Sequence, residues 1–93
     1  ETYWSRVELA QALRRENQCS QALDVLRPIR TVSSDDRLGL WSARARSVSG
    51  RCHLDEGRRA RGRADLQSAI RDMRAREEPD TEWIEASQAA LAR

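Results

Sequence analysis

Apolar residues in this chain return every three or four positions, in five separate stretches, and strict alternation never persists. Trp4, Val7, Ala10 and Leu13 step by three residues, and Leu9 to Leu13 by four. Cys19, Ala22, Leu26 and Ile29 continue the spacing, as do Leu38, Trp41, Ala45, Val48 and Cys52. Leu66, Ile70 and Met73 form a fourth set, and Ile84, Ser87 and Leu91 a fifth. Each set lays an apolar stripe along one side of a helix. β-Branched residues are few and scattered, so strands are not expected and the fold class is all-α.

The breaks between stripes carry turn chemistry. Asn17 and Gly57 are residue types that tolerate the left-handed conformation that ends many helices. Ser33 and Ser34 precede Asp35 and Asp36, and Pro79 precedes Asp80, both patterns that favour a helix start. The spacing predicts helices over 2–16, 19–31, 34–56, 58–77 and 80–92. Pro28 should kink the second or end it early, because proline removes a backbone donor and disfavours helical geometry at Arg27.

Helices in pairs invite a search for an internal period. Leu9-Ala10, Asn17, Ala22, Leu26 and Ile29 align with Ser49-Gly50, Gly57, Gly62, Leu66 and Ala69 at a constant offset of 40 residues. Small residues coincide twice, Ala10 with Gly50 and Ala22 with Gly62. In this pattern the chain resembles the tetratricopeptide repeat over about residues 2–77. The resemblance implies antiparallel helix-turn-helix units in one domain over 1–93: repeat one at 2–32, repeat two at 34–77, and a terminal helix at 80–92 that caps the stack or starts a third unit. In that family a small residue of the first helix lies against one of the second. The second unit departs from the pattern, with Ser49 where leucine is usual and His53 at an aromatic position. The long period, with its extra residues at Arg30 to Arg37, resembles bacterial repeat arrays joined to kinases, transcription regulators and signalling ATPases.

Composition narrows the chemistry. One His, one Tyr, one Met and two Cys leave few catalytic parts, and no enzymatic activity is expected. Cys52 and His53 are neighbours on a helix, so their side chains diverge by ~100°, and no spaced ligand set surrounds them. Neither a metal site nor a cofactor is expected. Cys19 and Cys52 are too few for a disulfide scaffold, and free thiols in a cytoplasmic setting are the expectation. No apolar run approaches a membrane span. All 17 basic residues are arginine, balanced by 15 acids to a net charge of +2, which speaks against a dedicated nucleic-acid binder. The densest charge is Arg58, Arg59, Arg61 and Arg63, which forms either a solvated helix face or a basic patch for phosphate.

The functional expectation is a protein–protein interaction scaffold, part of a larger regulatory protein, with a homodimer as a second arrangement. The resemblance implies a groove lined by the first helices: Trp4, Glu8, Gln11, Arg14 and Arg15 in the first unit, and Arg44, Val48, Arg51 and Asp55 in the second. Its arginines suit an acidic ligand. Val7, Gln11 and Val48 stand where chaperone-binding relatives clamp a terminal carboxylate, which speaks against that ligand. The expected core is Leu9, Ala10, Leu13, Ala22, Leu26, Trp41, Ala45, Val48, Leu66, Ile70 and Met73.

Overall fold

The computed structural model describes residues 2–30 and 39–92 as five helices: α1 (Tyr3–Arg15), α2 (Cys19–Arg30), α3 (Gly39–Asp55), α4 (Arg59–Arg74) and α5 (Thr81–Leu91). The all-α class stands. The expected helix start at Ser33 to Asp36 and the stripe residue Leu38 lie outside the described residues. α4 ends at Arg74, three residues short of the expectation.

The two tight turns are built alike. Asn17 adopts φ 62° and Gly57 φ 84°, the left-handed residues of their turns. Asn17 N–H donates to the Arg14 carbonyl at 3.0 Å and Gln18 N–H to the Leu13 carbonyl at 2.8 Å. Gly57 N–H donates to Leu54 at 3.0 Å and Arg58 N–H to His53 at 2.7 Å. Both are Schellman closures, 40 residues apart, and both fold a helix back on its predecessor.

α3 is the central element. It packs against α1, α2, α4 and α5 and is buried round most of its circumference. Val7 and Ala10 from α1, Cys19, Ala22, Leu26 and Ile29 from α2, and Ala45, Val48 and Cys52 from α3 form one apolar cluster. Ala43, Ala69, Ile70, Met73 and Ile84 form a second. Ile84, Ser87 and Leu91 reproduce the spacing of Ala45, Val48 and Cys52, 39 residues earlier. Ile84 and Leu91 turn toward the second cluster as the α3 residues turn toward the first. α5 thus seats on the α3–α4 pair much as α3 seats on the α1–α2 pair.

The pairs cross where side chains are smallest. A Cβ on Gly62 would lie 2.7 Å from the Gly50 carbonyl oxygen, and one on Gly50 would lie 2.9 Å from that of Gly62. Ala10 and Ala22 are both fully buried at the same places in the first pair.

Four expectations need correction. Leu9 is 50% exposed, not core. It lies ~100° from Ala10 and ~160° from Val7, which set the buried face of α1. α2 does not end early at Pro28 but runs on to Arg30, and Ile29, fully buried one residue later, anchors the last turn. Asp80 occupies the N-cap of α5, but its side chain caps nothing and is engaged elsewhere. Cys19 and Cys52 are not free thiols: they form a disulfide with Cα atoms 5.4 Å apart. Two cysteines 33 residues apart meet because the first turn of α2 lies against the last turns of α3. Among the described residues no helix is long and apolar enough to cross a membrane.

Candidate functional site

The solvent-facing side of α1 carries Trp4, Glu8, Gln11 and Arg15, which fall within ~60° of one another on the helix. Trp4 is 56% exposed, the largest apolar side chain left at the surface. Arg14 lies beside this face and is held to α3, its Nη1 3.1 Å from Asp55 Oδ2. The first-unit residues of the expected groove therefore do share one surface, tied to the second unit through Asp55.

The second-unit residues are placed differently. Val48 is fully buried in the first cluster and Arg51 is only 8% exposed, so neither offers surface to a ligand. The reason is positional: in α1 this face is open, but in α3 it lies between the first pair and α5. Arg44 is engaged as well. Its guanidinium makes a two-point ion pair with Asp80, with Nε 2.8 Å from Oδ2 and Nη2 3.2 Å from Oδ1. It lies over the rings of Trp41 at 4.9 Å and Trp83 at 5.2 Å, and Arg51 approaches Trp83 at 5.7 Å. Such cation–π contacts strengthen as water is excluded. Trp83 is half-buried and touches both apolar clusters.

Behind this joint runs a buried polar chain. Arg51 Nη2 donates to Ser47 Oγ at 3.2 Å, and Ser87 Oγ donates to the Trp83 carbonyl at 2.7 Å. Ser87 has one proton, already committed, so Ser47 donates across the 2.7 Å Ser47–Ser87 contact. Asp80, Trp83, Ser47 and Ser87 were not singled out as a group by sequence reasoning. Asp80 reads locally as a helix start, and nothing in its neighbourhood names an arginine 36 positions away.

The basic run does not form a single patch. Arg58 and Arg61 border a cleft that faces α2, whereas Arg59 and Arg63 border a hollow with Asp55, Ala90 and Leu91. Arg58 Nε donates to His53 Nδ1 at 2.8 Å, and Arg63 Nη1 to the Leu91 carbonyl at 3.3 Å. Helical spacing parts them, since Arg59 and Arg63 are four apart and Arg58 and Arg61 three apart on another side. Cys52, half of the Cys52–His53 pair, is consumed by the disulfide, and His53 is buried and accepts from Arg58.

Comparison with family models, curated proteins and solved structures finds no match for this chain.

Proposed function

We propose that the chain is a helical-repeat interaction module that holds a peptide or a partner domain on the open face of α1. The observation that carries this reading is Trp4, exposed beside Glu8, Gln11 and Arg15 on a helix that the Arg14–Asp55 pair fixes to its neighbour. A large aromatic ringed by polar groups on a rigid element is the usual anchor of a protein interface. With Arg14 engaged by Asp55 and Arg44 by Asp80, Arg15 remains as an exposed cation for an acidic ligand. The resemblance to tetratricopeptide repeats supports the same role: a scaffold within a bacterial regulatory protein, without catalysis or cofactor. A cytoplasmic setting fits this reading with the thiols reduced; with the disulfide closed, an oxidising compartment fits better.

Peptides selected by display against the protein supply the test. Trp4→Ala should weaken the selected binders by tenfold or more, on the order of a hot-spot loss. Leu9→Ala removes a second large apolar side chain exposed among the described residues, ~140° away on α1, and should leave them unchanged. Binders indifferent to Trp4→Ala would sink the reading.

A further inference from the structure

α1 and α3 each carry a second helix across the same strip of their surface. On α3 the strip is Arg46, Ser49, Gly50 and His53, and α4 covers it. Asp72 accepts from Arg46 at 2.6 Å and Asp65 from Ser49 at 2.7 Å, and Gly62 crosses at Gly50. On α1 the strip falls 40 residues earlier. α2 covers it at Arg6, whose Nη1 donates to the Val25 carbonyl at 3.3 Å, and at Ala10, buried in one cluster with Ala22. On α5 the strip falls 39 residues later, at Glu85, Gln88, Ala89 and Ala92, and all four are exposed. Beside it lies a hollow between α4 and α5, floored by Ile70 and Leu91 and edged by Gln88, Arg71 and Arg74. Both arginines are exposed, and neither has an ion-pair partner among the described residues.

We propose that this face of α5 docks a helix of a partner protein, laid across Ala89 as α4 is laid across Gly50. The two covered strips say what the occupant brings. Each covering helix sets a small residue at the crossing, Ala22 or Gly62, and a fully buried leucine four positions on, Leu26 or Leu66. Charge selects the flanks. The side turned to α4 meets the guanidinium groups of Arg71 and Arg74, which suit acidic side chains. The far end meets Glu85, which stands where α3 has Arg46, so it suits a base where α4 has Asp72. The occupant is an amphipathic helix, a common form of groove ligand. Within the described residues α2 and α4 carry the small-residue and leucine pair, and both are already engaged on α1 and α3. A second copy therefore has no such helix free, and a different protein supplies it.

The test uses the whole protein and a synthetic amphipathic helix with alanine at the crossing, leucine four positions on, a lysine toward Glu85 and glutamates along the flank turned to α4. Its twin carries lysines along that flank. Binding is read from the amide resonances at fixed ionic strength. The glutamate-flanked peptide should shift Gln88, Ala89 and Ala92 and bind at least about tenfold more tightly than its twin. Arg71→Glu combined with Arg74→Glu should reverse that preference. Ala89→Arg should lose at least about tenfold in affinity with an unchanged melting temperature, because Ala89 is exposed. Trp4→Ala should leave this binding intact, which separates the α5 face from that of α1. The proposal is overturned if neither peptide shifts α5, if the twin binds equally, if the charge reversal leaves the preference unchanged, or if Ala89→Arg keeps full affinity. Self-association that Ala89→Arg abolishes would also overturn it, by making a second copy the occupant.

Discussion

The carbonyl oxygen of Gly50 sits 2.7 Å from where a Cβ on Gly62 would be, so the second helix pair crosses backbone against backbone. Glycine inside a helix costs ~1 kcal/mol relative to alanine, and two of them at one crossing are retained because nothing larger fits. Gly62→Leu should therefore lower stability by ~1–3 kcal/mol or more through overpacking, despite the better helix former. Urea unfolding of this variant is decisive: a raised midpoint would mean the helices are not held together here.

The Cys19–Cys52 disulfide closes a loop of 33 residues. In the chain-entropy account, a loop of that length contributes ~3–4 kcal/mol by restricting the unfolded chain. A dithiol reductant should lower the melting temperature substantially, and Cys19→Ser with Cys52→Ser should remove that sensitivity. Alkylation of the unreduced, denatured protein followed by mass measurement gives the bond directly. Two alkyl groups on the purified protein would show it open.

Two leucines should respond in opposite ways to truncation. Leu26 is fully buried, and Leu26→Ala should cost ~2–5 kcal/mol. Leu9 is half exposed, and Leu9→Ala should stay within ~0.5 kcal/mol of the parent. Equal losses at the two sites would mean that the register of α1 is wrong.

Arg44 and Asp80 join α3 to the start of α5. A double-mutant cycle with Arg44→Ala and Asp80→Ala should give a coupling of ~0.5–3 kcal/mol. Because Arg44 lies over Trp41 and Trp83, its loss should also change tryptophan emission at constant fold content. Strict additivity together with unchanged emission would argue that the joint is open in solution.

How much of this the sequence makes legible follows from the range of each signal. The stripes of α2 and α4 and the left-handed turns at Asn17 and Gly57 are local patterns, and they read correctly. So does the close approach at Gly50 and Gly62, because a 40-residue offset aligns it with Ala10 and Ala22. Leu9 misleads because its four-residue step to Leu13 competes with the three-residue steps of Val7 and Ala10. In α3 the stripe is real, but polar Ser47, Ser49, Arg51 and His53 are buried too: Ser47 meets Ser87 of α5, Ser49 meets Asp65 of α4, His53 accepts from Arg58, and Arg51 lies against Trp83 of α5. Those partners, like the cysteine pairing and the Arg44–Asp80 bond, are set by three-dimensional stacking, which a one-dimensional pattern does not encode. The same stacking closes the α3 part of the expected groove and leaves the α1 part open.

The near-equal offsets that carry α1 to α3 and α3 to α5 have a bearing on self-assembly. Repetition along a chain is a step operation and contains no twofold axis. The outer sides of the first and last of these helices are different surfaces: the open face of α1, and the exposed Ala89 of α5. A contact of one with the other between copies is head-to-tail and would propagate rather than close. A closed homodimer instead sets one patch against its own copy across a twofold axis, α1 face to α1 face or side to side.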